Sequence, residues 1–213
     1  MTTSDNTSIF DKIYNNNEWY FGSGSGSVAI FNKPFISFVN KFLKEHPEVK
    51  TVIDLGCGDW QIAKHFELGD RKYIGCDVSK FIIEKTRAKY ATPARLFLHF
   101  DAVKNELPSG DLIIVKDVLQ HLSNIDVVKI ISKLNGCRYV IISNSFHDWI
   151  TTNKEIVNGG TRPIDIRKPP FNASQYFLVE EYVETLLKPI NLAHQLLFLP
   201  KIKKGIFTNH WRA

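Results

Sequence analysis

Between Thr51 and Ser145 short apolar runs of strand length alternate with segments of helical period, and this alternation constrains the fold more than any other feature of the chain. The runs are Thr51–Leu55, Lys72–Cys76, Leu96–Phe100, Leu112–Val115 and Tyr139–Ser143. Helical patterns begin at about Trp60, span Ser79 to about Tyr90, and follow Ser123. Strands separated by helices pair in parallel through right-handed crossovers, so an α/β, doubly wound, mostly parallel sheet is expected. An earlier helix is read from Phe35, Phe38, Val39, Phe42 and Leu43, which form one apolar stripe with Pro34 in its first turn; it should stop before Pro47. Ser123 and Asp126 have capping-box spacing, and Val127, Val128, Ile131 and Leu134 supply the buried face of the helix they open.

Beyond this body the alternation breaks. A helix is expected from about Phe177 to Leu187. Two strands, Leu192–Leu199 and Gly205–His210, follow it, joined too closely for a crossover and therefore antiparallel. At 213 residues one domain is the default. Its parts are an N-terminal cap (1–27), a cofactor-binding body (28–145), an irregular insert (146–176) and the C-terminal helix and strand pair (177–213). A chain with 44% hydrophobic and 23% charged residues is neither a disordered tail nor a fibre. The net charge of +5 suits an anionic partner without demanding one, and no like-charge block stands out beyond Lys201, Lys203 and Lys204, which read as a solvated turn; nucleic acid is not the expected partner. No run reaches the ~18 apolar residues of a membrane span, and Thr2 to Ser8 lack signal-peptide character, so a cytoplasmic protein is expected. Cys57, Cys76 and Cys137 form no C-x-x-C pair and predict neither a disulfide framework nor a zinc site.

The chemistry concentrates where Val52-Ile53-Asp54-Leu55-Gly56-Cys57-Gly58-Asp59-Trp60 leaves the first strand. Two glycines there let the backbone approach a ligand and aim a following helix at it. Asp77 ends the next strand at about the offset where a carboxylate reaches a ribose, which implies a nucleoside-bearing cofactor. Asp54 and Asp59 would repel a pyrophosphate but favour the sulfonium and ammonium of S-adenosylmethionine, and Gln61 stands where a dinucleotide site has its third glycine. The run Trp19-Tyr20-Phe21-Gly22-Ser23-Gly24-Ser25-Gly26-Ser27 is bracketed by aromatics and is read as closing over the ligand with its backbone N–H groups.

Asp54, Gly56 and Gly58 match the D/E-x-G-x-G motif of the class I methyltransferases, which the chain resembles in order from about Lys50 to Ser145. The resemblance implies the Rossmann-like methyltransferase fold, a seven-stranded sheet ending antiparallel. It implies S-adenosylmethionine as cofactor, with Asp77 and Val78 at the ribose, Asp101 and Ala102 at the adenine, and Trp19, Gly22, Ser23, Cys57 and Lys116 completing the site. Asp59 departs from the family pattern where a third glycine is common.

An acceptor's proton must be removed, and Asp117 and His121, four apart after the fourth strand, are the candidates: His121 as base, Asp117 orienting it. His147 and Asp148 are a second pair. A catalytic metal is not expected, because Ser143 occupies the place of a second carboxylate beside Asp117 and Asn144. Pro169-Pro170-Phe171 has the letters of a nucleic-acid methyltransferase motif but lies in the insert. The insert itself, Asn158-Gly159-Gly160-Thr161-Arg162-Pro163-Ile164-Asp165-Ile166-Arg167-Lys168-Pro169-Pro170-Phe171, mixes turn formers with forked donors. It is similar to small methyltransferases of polysaccharide synthesis, and with the glycine segments it resembles the methyltransferase domain of chlorovirus glycan-building proteins, whose acceptor is a rhamnose hydroxyl. That resemblance implies a carbohydrate acceptor gripped by His147, Arg162, Asp165 and Arg167, a place within a larger glycan-synthesis protein, and the host cytoplasm if the source is viral. Two other functions stay open: methylation of another small molecule or a nucleic acid, and a non-catalytic cofactor-binding subunit.

Overall fold

The computed structural model describes residues 5–20, 22–184, 187–189, 196–198 and 202–210. Nine strands are described: β1 (Thr51–Leu55), β2 (Lys72–Asp77), β3 (Arg95–His99), β4 (Leu112–Lys116), β5 (Tyr139–Ser145), β6 (Phe177–Glu184), β7 (Leu187–Pro189), β8 (Leu196–Phe198) and β9 (Ile202–Thr208). Seven form one sheet in the order β3-β2-β1-β4-β5-β9-β6. The pairs among β1 to β5 are parallel, while β9 runs antiparallel to β5 and to β6. Four α-helices accompany them: α1 (Asn6–Asn15), α2 (Lys33–Glu45), α3 (Lys80–Tyr90) and α4 (Asn124–Leu134). Strand order reverses between β1 and β4, and ligands of open α/β sheets lodge at the carboxyl ends of the strands at such a point.

Each face of the sheet has its own core. On one, Phe35, Val39, Phe42 and Leu43 of α2 pack on Val52, Ile114, Ile141 and Ile206. On the other, Val127, Ile130, Ile131 and Leu134 of α4 cover Ile53, Ile113, Val140 and Ile142, joined by Phe10 and Ile13 of α1. Strands β4 and β5 read as unbroken apolar runs because both of their faces are covered. Ser79 caps α3 as its sequence position suggests, its Oγ accepting the Ile82 N–H at 3.3 Å.

Several expectations are corrected. The pattern from Trp60 yields only a 3₁₀ turn at Ala63–His65. Trp60 sits at φ +63° and packs among Tyr73, Tyr90 and Phe97, which draws the chain into that aromatic cluster instead of along a helix axis, so no α-helix from this segment points at the glycine loop. Residues 177–184, read as a helix, form strand β6 along β9; a register shift between Leu178 and Glu180 breaks the two-residue alternation that would have marked a strand. The partner of β9 is therefore β6, not 192–199. Of that latter run Leu196–Phe198 pairs with Leu187–Pro189 and the rest lies outside the described residues. Ser123 makes no side-chain cap: Asn158 Oδ1 accepts the Ser123 N–H, Glu155 Oε1 the Asn124 N–H, and the Asp126 carboxylate accepts from Asn158 Nδ2 at 2.7 Å. Val128 is 44% exposed because the buried stripe of α4 runs through Val127, Ile130, Ile131 and Leu134, and Val128 lies about 100° around the helix from it. Helix α1, which the sequence reading passed over, is docked by Asp11, whose Oδ1 accepts from Ser79 Oγ at 2.6 Å and from the Phe81 N–H at 3.0 Å.

Candidate active site

A cavity of about 550 Å³ opens at the carboxyl ends of β1, β2 and β4. Its wall includes Trp19, Ser23, Asp54, Gly56, Cys57, Asp77, Val78, Asp101, Ala102 and Lys116, together with Asp117 and His121. These are the expected cofactor and base residues, with Gly22 and Gly58 standing just behind. A Cβ on Gly22 would fall 2.3 Å from Asp59 Oδ2, and the Gly58 N–H donates to Asp77 Oδ2 at 3.0 Å.

The glycine loop is held from below by the Cys76 carbonyl, which accepts the N–H groups of Gly56 and Cys57 at 2.7 and 3.0 Å. Gly56 has φ +80°, and a Cβ there would lie 2.2 Å from Val118 Cγ2. Gly56→Ala should therefore strain the backbone and push Val118 and the adjoining His121 turn outward, costing about 1–3 kcal/mol; denaturant titration of the variant beside wild type measures it. Gly58 admits Ser23 of the cap just as closely. Ser23 Oγ accepts the Asp59 N–H at 3.0 Å and donates to Asp59 Oδ1 at 2.9 Å, so the Tyr14 hydroxyl 3.2 Å away must donate to it. Lys116 Nζ donates to the Gly26 carbonyl at 2.9 Å. The cap is thus tied to the rim of the cavity through Ser23, Tyr14 and Lys116.

Four carboxylates line the cofactor end. Asp54 accepts from the Tyr73 hydroxyl at 2.7 Å, and burial pushes it up to about 6. Burial likewise pushes Asp77 up to about 6, against the N–H groups of Ser79 and Gly58 that it accepts. Asp59 is raised by burial as well. Asp101 Oδ2 is buried and accepts no hydrogen bond, the Lys104 ammonium standing 3.5 Å away. An acceptor-rich wall of this kind fits a cationic ligand with a free amino group and opposes a pyrophosphate. These residues therefore fit S-adenosylmethionine.

At the far end His121 is set by its neighbours. Nδ1 lies 2.9 Å from the Gly160 carbonyl and 3.1 Å from Thr161 Oγ1, Nε2 lies 3.2 Å from Gln120 Nε2, and the ring rests 4.9 Å from that of Trp19. Asp117 does not hydrogen-bond to the ring, so its expected orienting role passes to Gly160. Asp117 is instead clasped by Lys116 and, at 2.6 Å, by Lys204; burial would raise it, but the two ammoniums hold it well below the usual carboxylate range. Gln120, Ser145, Thr161 and Lys204 also line this end and were missed from the sequence. Lys204 arrives from β9, opposite Ser145 in the ladder, a register no local pattern reveals.

The residues expected to grip a glycan lie off the cavity wall; Asp165 and Arg167 pair within the insert, and Arg162 ties it to the start of α4. Arg162 donates to the Leu122 carbonyl at 2.7 Å and to Asn124 Oδ1 at 2.9 Å. Asp165 is buried and takes both Nε and Nη2 of Arg167, whose guanidinium lies over Phe146 and Phe207. His147 stacks on Trp149 with ring centroids 5.0 Å apart, and Asp148 pairs with Lys203 at 3.1 Å. Buried carbonyls and carboxylates need donors, and here the forked donors of the insert supply them: Arg167 to Asp165 within the insert, and Arg162 to Leu122 and Asn124 of the neighbouring turn and helix. Among the described residues no three His, Cys, Asp or Glu side chains are grouped to hold a metal, and no helix is long and apolar enough to cross a membrane.

Residues 53–137 match the family described as Methyltransferase domain. No curated protein sequence matches the chain. Among solved structures, magnesium protoporphyrin IX methyltransferase from Synechocystis PCC 6803 with bound S-adenosylmethionine superposes with TM-score 0.60 at 14% identity, covering 98% of this chain and 99% of that one. A Leishmania major S-adenosylmethionine-dependent methyltransferase does so with TM-score 0.55 at 18% identity, covering 81% and 70%. A structure from work on the conversion of a disulfide bond into a thioacetal group during echinomycin biosynthesis gives TM-score 0.61 at 16% identity, covering 97% and 94%. The domain match over residues 53–137, the Rossmann-like methyltransferase fold and the carboxylate-lined cavity together support methyltransferase activity with S-adenosylmethionine as cofactor.

Proposed function

We propose that the protein methylates a sugar hydroxyl, such as that of a rhamnose in a glycan, with His121 as the general base. The observation that carries this reading is the placement of His121: a half-buried imidazole in the wall of the cavity that the cofactor carboxylates line, with Nδ1 2.9 Å from the Gly160 carbonyl and a pKa lowered by desolvation. When bound, S-adenosylmethionine supplies a methyl group on a sulfur cation, and its transfer to a hydroxyl leaves a neutral sulfide and one proton. That proton is what His121 is placed to receive at Nε2, its Nδ1–H being committed to Gly160. Asp54 and Asp77 would hold the cationic and ribose parts, and Asp101 Oδ2 would accept from the adenine amino group. The cap, latched through Ser23 and Asp59, would keep water out.

A hydroxyl suits a neutral base because it must lose its proton as the new bond forms. The Trp19 ring beside His121 offers the flat apolar face that the C–H side of a pyranose packs against, and Thr161 and Ser145 offer hydroxyls to a polyol. The resemblance of the insert to enzymes of polysaccharide synthesis supports the same acceptor, although its arginines serve the fold. Incubation with radiolabelled methyl donor and a panel of rhamnose- and fucose-terminated oligosaccharides tests the reading. Label should appear in at least one glycan. Cofactor binding without transfer to any of them would point to a binding subunit, and transfer to RNA with a steep salt dependence to the nucleic-acid alternative.

A further inference from the structure

We infer that Gln120 is the positioning residue that fixes the protonation state of His121, holding Nε2 as a bare acceptor until the methyl acceptor replaces it there. The inference rests on the reading of His121 as the base, but its argument is geometric. Gln120 is 5% exposed and its side chain is spanned by two partners. The Ser145 backbone N–H lies 2.6 Å from Oε1, and a backbone N–H can only donate, so the amide oxygen must face it. The amide NH₂ is thereby turned to His121 Nε2, 3.2 Å away, where it can only donate. At the other edge of the ring the Gly160 carbonyl can only accept, at 2.9 Å from Nδ1. Two one-way groups on opposite sides thus demand the same tautomer: Nδ1–H and an unprotonated Nε2.

Protonating Nε2 in this arrangement sets N–H against N–H, so Gln120 favours the neutral ring. The other charged groups facing the imidazole are Asp117 from its own loop, Lys204 from β9 and Arg162 from the insert; the first favours the imidazolium and the other two oppose it. Gln120 is itself anchored by β5 through Ser145 and by the insert, whose Arg162 N–H donates to the Gln120 carbonyl at 3.1 Å. The base is therefore set by the sheet and the insert jointly.

Gln120→Glu keeps an oxygen for the Ser145 N–H and converts the donor facing Nε2 into an anionic acceptor. Gln120→Leu removes the donor and adds no charge. Histidine-selective ¹⁵N labelling of the full-length protein, with the His121 signals assigned by their loss in His121→Asn, reads the tautomer and the titration midpoint without any turnover. Wild type should show the Nδ1–H tautomer at neutral pH. The midpoint should rise in Gln120→Leu and rise further in Gln120→Glu, by about one pH unit or more, a tenfold change in the protonation equilibrium. Midpoints unmoved or lowered in both folded variants, or the Nε2–H tautomer in wild type, would overturn the assignment. Full turnover by His121→Ala would instead remove the base reading and leave this titration result standing.

Discussion

Replacing His121 by alanine should lower kcat by about 10²–10⁴-fold while leaving cofactor affinity within about twofold of wild type. The two parts of this expectation come from separate regions of one cavity. His121 sits on the turn after β4 against Trp19 and the insert, whereas Asp54, Asp77 and Asp101 close the ends of β1, β2 and β3. Removing the imidazole takes away the group that receives the acceptor's proton, but no hydrogen bond to Asp54 or Asp77 passes through it. The split is checked by calorimetry for binding and by single-turnover methyl transfer for chemistry, with glycans that serve as acceptors for wild type. Loss of affinity equal to loss of rate would mean that His121 shapes the cofactor site instead. Unchanged rate would pass the proton to water or to another side chain. The pH profile adds a sign: because burial lowers the His121 pKa, the acid limb of kcat should lie below the ordinary imidazole value, and it should vanish in the variant.

The body of the fold, and the gathering of Asp54, Gly56, Cys57 and Asp77 around one cavity, were legible in the sequence; the neighbours of His121 from β5, β9 and the insert largely were not. Strands β1, β2, β4 and β5 announce themselves as short apolar runs because both faces of the sheet are covered, and helices α2 and α3 through their helical period and through Ser79, Pro34 and Pro47, which punctuate them. Asp54, Gly56, Cys57 and Asp77 follow from that placement, since strand ends at the switch point can face only one rim. Where the reading failed, distant partners had outvoted local ones. Asp126 was taken by Asn158 from 32 residues away, and β6 was held in strand form by β9 across a bulge. Arg162 and Arg167 looked like substrate ligands because forked donors in a polar loop look alike whether their acceptors belong to a ligand or, as with Leu122 and Asn124 for Arg162 and Asp165 for Arg167, to the protein itself. Gln120 carried one usable signal, a polar side chain directly before the candidate base, but its meaning depended on Ser145, 25 residues later in β5.

Cofactor affinity should fall by about tenfold or more between pH 7.5 and pH 5.5, because Asp54 and Asp77 are both pushed up to about 6 by burial and a cationic ligand needs them ionised. At the upper pH both are charged and attract the sulfonium and ammonium. At the lower pH each is mostly protonated, and the neighbouring charge of Asp77, which raises Asp54 further, spreads the pair's proton losses over two coupled steps. The stability of the unliganded protein should move the opposite way. A carboxyl whose folded pKa lies above its unfolded value contributes stability that is complete below about 4 and is lost as pH rises through about 6, by about 3 kcal/mol for a shift of about two units. The empty cavity is thus an electrostatically costly arrangement at neutral pH, and the ligand's positive charge offsets that cost. Asp54→Asn tests the link, since an amide oxygen can still accept from the Tyr73 hydroxyl while the charge is gone. The variant should bind S-adenosylmethionine more weakly at pH 7.5, show a shallower pH dependence, and unfold at higher denaturant concentration than wild type at that pH. Affinity that is flat with pH in the wild-type protein would mean that these carboxylates remain ionised throughout the range, and that burial does not tune them.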